Sequence, residues 1–396
     1  MTFKETIINA IKGKKTDHVP FVPRLDIWYK SNKLRNKLPK KYKDCTLEEI
    51  VKDMGLGSHT VVPDFSNYRN RNSVALSGLG ISDLKTNPYK INTDNLDYES
   101  KTDSGGVTQT IYRTPFGKIT TKTLYDCRMK ESGATIGHTL EHAFKTAADA
   151  NAIGYIFENI KVEKNYKDFA EYKDSIGENG IAVAFCMLSA SPMHHIMKSL
   201  CPFEGFVYQL HDNPKIFKIL AQKIDIFFNE VVSISASSDA EVVFCGANYD
   251  SFLTWPSFFK QYITPYLKKY SDVSHQKGKF FLTHADGENE GLINEYVEGS
   301  IDIADSICPY PMTKLKLEDI RKEFAGKITI WGGIPSICIL EEFINEYDFD
   351  RYLYSLADSI GRGEHIILSF ADTTPPDAKF ERIGKVAQFA ESLRLS

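Results

Sequence analysis

The sequence predicts an α/β fold: a (β/α)8 TIM barrel with N-terminal additions and an inserted β-hairpin. Three observations predict it. From about residue 139 onward, short apolar runs alternate with longer amphipathic stretches. Each run is apolar through most of its length, as a strand buried on both faces requires. Polar or small residues gather at or just after the runs: Asn248 and Asp250, His284 and Asp286, Asp305 and Cys308, Gly332 and Gly333, and Asp372. A barrel collects its active site at those strand ends. A doubly wound sheet is the competing architecture. It would want a phosphate loop at an early βα turn, and the chain contains neither GxGxxG nor GxxxxGK[ST].

The elements follow in order. Thr2 to Lys12 sets Phe3, Ile7, Ile8 and Ile11 at helical spacing. VPFVPRLDIWY (19–29) reads as an extended first strand, with Arg24, Asp26 and Tyr29 late in it. Leu47 to Met54 reads as a helix that Gly55–Gly57 ends. Residues 61–125 are irregular except for GGVTQTIYRTPFGKITTKTL, whose β-branched alternation around Pro115-Phe116-Gly117 marks a hairpin at about 107–124. Strands are expected at 181–188, 241–247, 278–284, 301–306, 327–332 and 365–370. Helices are expected between them at 203–211, 214–233, 256–275, 290–297, 317–324 and 340–360. No internal repeat or low-complexity linker interrupts the chain, so a single domain over 1–396 is expected.

Composition limits the function. With 42% hydrophobic and 25% charged residues over 396 positions, the chain is not a disordered one and can bury a deep core. Lys and Arg total 48 against 52 Asp and Glu, so no basic excess points to nucleic acid. The longest apolar runs fall well short of the roughly 18 residues that read as a transmembrane helix, and the amphipathic start lacks a signal-peptide core. Seven scattered cysteines without a CxxC fit a reduced, cytoplasmic compartment, most of them as core thiols.

Several stretches together carry a resemblance: KKTDHVPFVPRLDIWY, TPFGKITT, WPSFFKQYITPYLKKYSDVSHQKGKFFLTHADG, EGSIDIADSICPYPM, WGGIPS and ADTTPPDAKFERI. The chain resembles the uroporphyrinogen decarboxylase superfamily, and within it the corrinoid-dependent, O-demethylase-like methyltransferase branch. The resemblance implies a (β/α)8 barrel with its cleft at the C-terminal strand ends. The decarboxylases of this family hold a tetrapyrrole with an early R-x-A-G-R-Y motif. The corresponding stretch here is PRLDIWYKSNK, with Arg24 as its one arginine. A substrate with several acidic arms needs several bidentate cations, which argues against uroporphyrinogen itself. The methyltransferases bind zinc through H-x-C and a distant cysteine near the last strand. Here those places read His284-Ala285-Asp286 and SFADTTPP, so of the family set only His284 carries over.

Individual residues have two readings each. His284 ends an apolar strand, as a zinc ligand or acid/base, or as a helix-capping histidine. Cys245, His284 and Cys308 fall at three successive strand ends and could hold zinc with one open position; both cysteines could equally be small core residues. Asp250, Asp286, Glu288 and Asp305 are alternative oxygen ligands. Asp250 is either a cleft carboxylate, as the family has near that strand end, or a turn residue. Asn248 and Tyr249 can orient a substrate oxygen. Arg24 can clamp a substrate carboxylate beside Asp26 and Tyr29, or form a structural ion pair. His138-Thr-Leu-Glu141-His142 matches the helical zinc-protease pattern H-x-x-E-H and is read as coincidence on a surface helix. His194-His195 follow a strand, but adjacent histidines on a helix point apart.

The resemblance implies an enzyme that moves a methyl group from a small ether, amine or thiol to a partner corrinoid protein, with Asp250 and His284 as the catalytic pair. No D-x-H-x-x-G corrinoid signature is present, so cobalamin would come on that partner. The alternatives are a cofactor-free decarboxylase using Arg24 with Asp250 or His284, and a non-catalytic binding barrel. The methyl donor and the oligomeric state are left open.

Overall fold

The computed structural model describes residues 1–361 and 363–393. Two antiparallel sheets come first in the chain. β1 (Tyr89–Asn92) pairs with β6 (Lys161–Lys164). β2 (Asp97–Thr102), β3 (Val107–Thr114), β4 (Gly117–Leu124) and β5 (His138–Glu141) form a four-stranded sheet in that order. The expected hairpin is its centre, with Thr114 opposite Gly117 at the turn. β3 and β4 bury alternate residues, Thr108, Thr110 and Tyr112 against Ile119, Thr121 and Thr123. The Tyr112 hydroxyl donates to the Ala75 carbonyl at 2.8 Å, which ties the sheet to the helix Arg71–Leu76.

The main sheet has six parallel strands: β7 (Val183–Met187), β8 (Val242–Ala247), β9 (Phe280–His284), β10 (Ile303–Ile307), β11 (Thr329–Ile334) and β12 (Ile366–Phe370). They lie side by side in sequence order, with helices such as Pro214–Ala236, Thr264–Gln276 and Leu317–Phe324 between them. Phe21 bridges Leu368 in parallel, so the early extended segment runs beside β12. The six strands of this sheet sit within a few residues of their expected places.

Both faces of this sheet are buried, and the pleat divides them. Val242, Phe244, Leu282, Ile303, Trp331 and Ile367 face one apolar cluster, which the helix Phe3–Ile11 joins through Ile7, Ala10 and Ile11. Val243, Cys245, Ala304, Ile330, Ile366 and Leu368 face the other, packed against the helices. The helix Phe3–Ile11 starts at a Thr2–Glu5 capping box, and Leu47–Asp53 at a Thr46–Glu49 box, which fixes both starts locally.

Two expectations change. The first strand stops early: Asp26–Leu34 is a helix, so Asp26 and Tyr29 stand on it rather than on a strand. Its Asp26 lies in the first turn, where a carboxylate favours the helix dipole. The H-x-x-E-H stretch is also not helical. His138 to Glu141 form the edge strand β5, held by Lys122–Glu141 and Leu124–His138 pairing. His138 lies in this strand and His142 just beyond it, so the two are not set one turn apart on a helix face.

Buried histidines follow β7. The His194 Nδ1 accepts the Ala190 N–H at 3.1 Å, and the His195 Nε2 lies 2.8 Å from the Leu79 carbonyl. Burial pushes His195 down to about 4, whereas an unfolded imidazole titrates near 6.5. Its contribution to stability is therefore complete above pH 6.5 and lost as pH falls toward 4, because only the unfolded chain takes the proton. Urea denaturation at pH 7 and pH 5 should show about 2 kcal/mol less acid sensitivity in a His195→Gln variant than in the parent. Equal sensitivity would reject this role for His195.

Candidate functional site

The strand ends of β8, β9, β10 and β12 converge on one polar cluster. Asp305 lies opposite His284 in the parallel register of β9 and β10. That pairing sets the carboxylate Oδ2 2.5 Å from the imidazole Nδ1. The other ring nitrogen, Nε2, lies 3.3 Å from Asp372 Oδ1 and 3.7 Å from Asp286 Oδ1. Asp372 follows β12 and Asp286 follows β9. Arg24 donates to the same Asp372 oxygen through Nη1 at 3.0 Å and to Asp26 through Nε at 3.0 Å.

Irregular backbone makes this convergence possible. Register shifts interrupt the ladders between Asp305 and Ile307 and between Phe244 and Ala247. Bulges of this kind re-aim side chains at strand ends. Ser306 and Asp372 both take left-handed conformations, with φ of 66° and 56°. The Asp372 N–H donates to the Ser306 hydroxyl at 2.5 Å, so the two unusual residues hold one another. At Gly246, φ is 90° and a Cβ would lie 2.1 Å from the Tyr249 hydroxyl, so only glycine fits that bend.

The electrostatics follow from the geometry. Burial alone would lower the His284 pKa, but Asp286, Asp305 and Asp372 together raise it to about 10. Those three carboxylates favour the protonated form of the ring. Burial raises Asp372, yet the hydrogen bond and charge of His284, with Arg24, hold it well below the usual carboxylate range. Asp286 goes the other way: burial raises it, only partly offset by His284. Its Oδ2 accepts the Asn248 amide at 3.0 Å, while its Oδ1 is buried without a hydrogen-bond partner.

His284, Asp286 and Asp372 offer ligand atoms that all lie within 4.8 Å of one another. One imidazole and two carboxylates, one of them with an orphaned buried oxygen, suit a divalent cation with mixed N and O ligands. His284 is oriented for this by Asp305 on its far nitrogen, as metal-binding histidines usually are.

The expected residues divide. Arg24, Asp26, Asn248 and His284 belong to the cluster or its immediate partners. Cys245 does not reach it. The pleat turns it to the helix-facing side of β8, where its sulfur lies 3.6 Å from the Ser189 carbonyl. Cys308 is also outside the metal group: Asp305 takes the position facing His284, and Cys308 stands beyond the bulge with its sulfur 3.9 Å from the Pro309 carbonyl. Burial pushes the Cys308 thiol up to about 12 and Cys245 well above its ordinary value. Asp250 uses both oxygens on backbone, accepting Phe252 N–H at 2.8 Å and Glu288 N–H at 3.2 Å, and so pins the loop after β8 to the loop after β9. Glu288 likewise accepts the Glu290 and Lys314 N–H groups. Tyr249 is a core residue, its hydroxyl 2.7 Å from that of Thr283. Tyr29 donates to the Cys45 carbonyl at 2.9 Å and makes no hydrogen bond to the cluster.

Two participants escaped sequence reasoning. Lys198 reaches Asn248 Oδ1 at 2.5 Å from a helix after β7, and burial pushes its pKa down to about 8. His59 packs edge-on against Trp331 at 5.7 Å, and burial pushes it down to about 4 despite Asp305. A histidine just past the Gly55–Gly57 turn was the available signal for His59. Nothing local marks Lys198. A cavity of about 740 Å³ lies between Pro309–Pro311 and the helices Leu317–Phe324 and Glu346–Ile360, and no member of the His284 cluster lines it.

No protein-family profile matches the chain, and no curated protein is significantly similar to it. No helix among the described residues is long and apolar enough to cross a membrane.

Arg24 is 8% exposed, and its removal would leave Asp26 without its cation and Asp372 with the His284 ring alone. An Arg24→Met variant should lose about 3 kcal/mol in urea denaturation, as broken buried pairs do. Asp26→Asn should recover part of that loss in the double variant. Strict additivity of the two changes would show that Arg24 and Asp26 are not coupled.

Proposed function

We propose that the chain is a methyltransferase of the uroporphyrinogen decarboxylase superfamily, moving a methyl group from a small methylated ether, amine or thiol to a corrinoid carried by a partner protein. The observation that carries the catalytic part is His284, fixed by Asp305 on one nitrogen and turned toward Asp286 and Asp372 with the other. The sequence resemblance supplies the reaction class. We also read the six-stranded sheet as part of a closed barrel. Segments 19–22 and 57–61 would be its two remaining strands. The Val22 N–H bond to Leu368, the Gly57 N–H bond to Phe21 and the Ser58 N–H bond to Asn179 support that reading.

A methyl ether is a poor electrophile because its leaving oxygen is basic. As the acceptor takes the methyl carbon, the carbon–heteroatom bond breaks and its electron pair stays on the heteroatom. The imidazolium of His284 holds a proton on Nε2 that can pass to that atom, with Asp305 stabilising the ring throughout. Asp286 and Asp372 keep the proton at Nε2 before transfer. A divalent cation held by His284, Asp286 and Asp372 would supply the same bond weakening as a Lewis acid.

Decarboxylation of a small acid fits less well, because Arg24 already gives its donors to Asp26 and Asp372. The test is spectrophotometric. Reduced cobalamin, the protein and a panel of methyl ethers, amines and thiols should yield methylcobalamin with at least one donor. His284→Ala should slow it by about 10²–10⁴-fold, the range for a positioned proton donor. Release of carbon dioxide from a carboxylic acid, with no methyl transfer, would replace this reading with the decarboxylase. Neither reaction would leave a binding barrel.

A further inference from the structure

We propose that Lys198 and Asn248 form a positioning relay that holds Asp286 ready to bind a divalent cation through a single oxygen. This rests on the cation reading of the His284, Asp286 and Asp372 group.

The relay follows from donor and acceptor roles. The Lys198 ammonium can only donate, and it reaches both the Ala247 carbonyl at 3.0 Å and Asn248 Oδ1 at 2.5 Å. That contact fixes the Asn248 amide, since a flipped amide would set its NH₂ against the ammonium. With Oδ1 committed to Lys198, Nδ2 points to Asp286 Oδ2 at 3.0 Å. One carboxylate oxygen is thereby occupied. The other, Oδ1, is buried, has no hydrogen-bond partner, and lies 3.7 Å from His284 Nε2. A buried carboxylate oxygen with nothing to accept is costly, and a cation satisfies it.

The backbone is shaped for the same purpose. Asn248 has φ of 60°, a left-handed conformation that asparagine tolerates better than most residues. Lys198 stands in a π-turn, Ile196–Leu200, a distortion that inserts a residue into a helix and often marks a functional site. Each of the three ligand side chains then has a holder: Asp305 for His284, Arg24 for Asp372, and the Lys198–Asn248 relay for Asp286. Partners of this kind typically change metal affinity 10–100-fold.

The experiment measures Zn²⁺ affinity of the full chain by competition with a chromophoric chelator, together with the thermal midpoint of each variant. Asp286→Ala should abolish tight binding. Asn248→Ala and Lys198→Met should each weaken it by about 10–100-fold, and Lys198→Arg should recover much of the loss by keeping a cationic donor. A purely structural role would move the midpoints and leave affinity unchanged. If Asn248→Ala does not fold, Lys198→Met, which leaves the strand end intact, decides. Affinities within about twofold of the parent in both relay variants, with Asp286→Ala inactive in binding, would overturn the relay and keep the cation site. A parent protein that holds no Zn²⁺ would overturn the cation reading, and the relay with it.

Discussion

His284 and Asp305 face one another across the parallel register of β9 and β10, 2.5 Å apart. Most of the site depends on that contact. It fixes the ring plane, commits Nδ1, and leaves Nε2 as the only nitrogen that can act on a ligand. It also contributes to keeping the imidazole charged in a buried place, where a lone histidine would be neutral. His195 and His59 are the comparison inside the same molecule: burial without comparable carboxylate contacts pushes both down to about 4.

The scaffold supplies this contact by alternation. Along each central strand the pleat sends every second residue to the helix-facing core, so only particular positions can meet across the other face. His284 and Asp305 have matched positions in register, and Cys245 does not. Beyond the last regular pairs the chain bends sharply at Gly246, Ser306 and Asp372. Those bends gather side chains from strands that are not neighbours, as in the approach of Asp372 to His284.

Charge explains why the cluster holds together and why it remains unfinished. Asp26, Asp286, Asp305 and Asp372 face Arg24, Lys198 and the His284 ring. Arg24 answers Asp26 and Asp372, and Asp305 answers His284. Asp286 has a neutral amide on one oxygen, while the other accepts no hydrogen bond and has the His284 ring only at 3.7 Å. Burial raises its pKa, and its unsatisfied oxygen faces the other two candidate ligands.

The six strands of the parallel sheet, most of the helices and the inserted hairpin were legible because each depends on local pattern: apolar runs buried on both faces, 3.6-residue periodicity, and a turn at Pro115–Gly117. His284, Asp286, Asp305 and Asp372 were visible as polar residues after apolar runs. What sequence could not decide was which of them meet, because register and bulges are set by pairing between distant strands. The same limit misplaced Asp26 and Tyr29, where a helix begins directly after the strand, and read β5 as helical, since its partner β4 fixes it as an edge strand. Lys198 was invisible for the strongest reason. Its importance comes from a π-turn and from Asn248, 50 residues away, and only the folded chain brings them together.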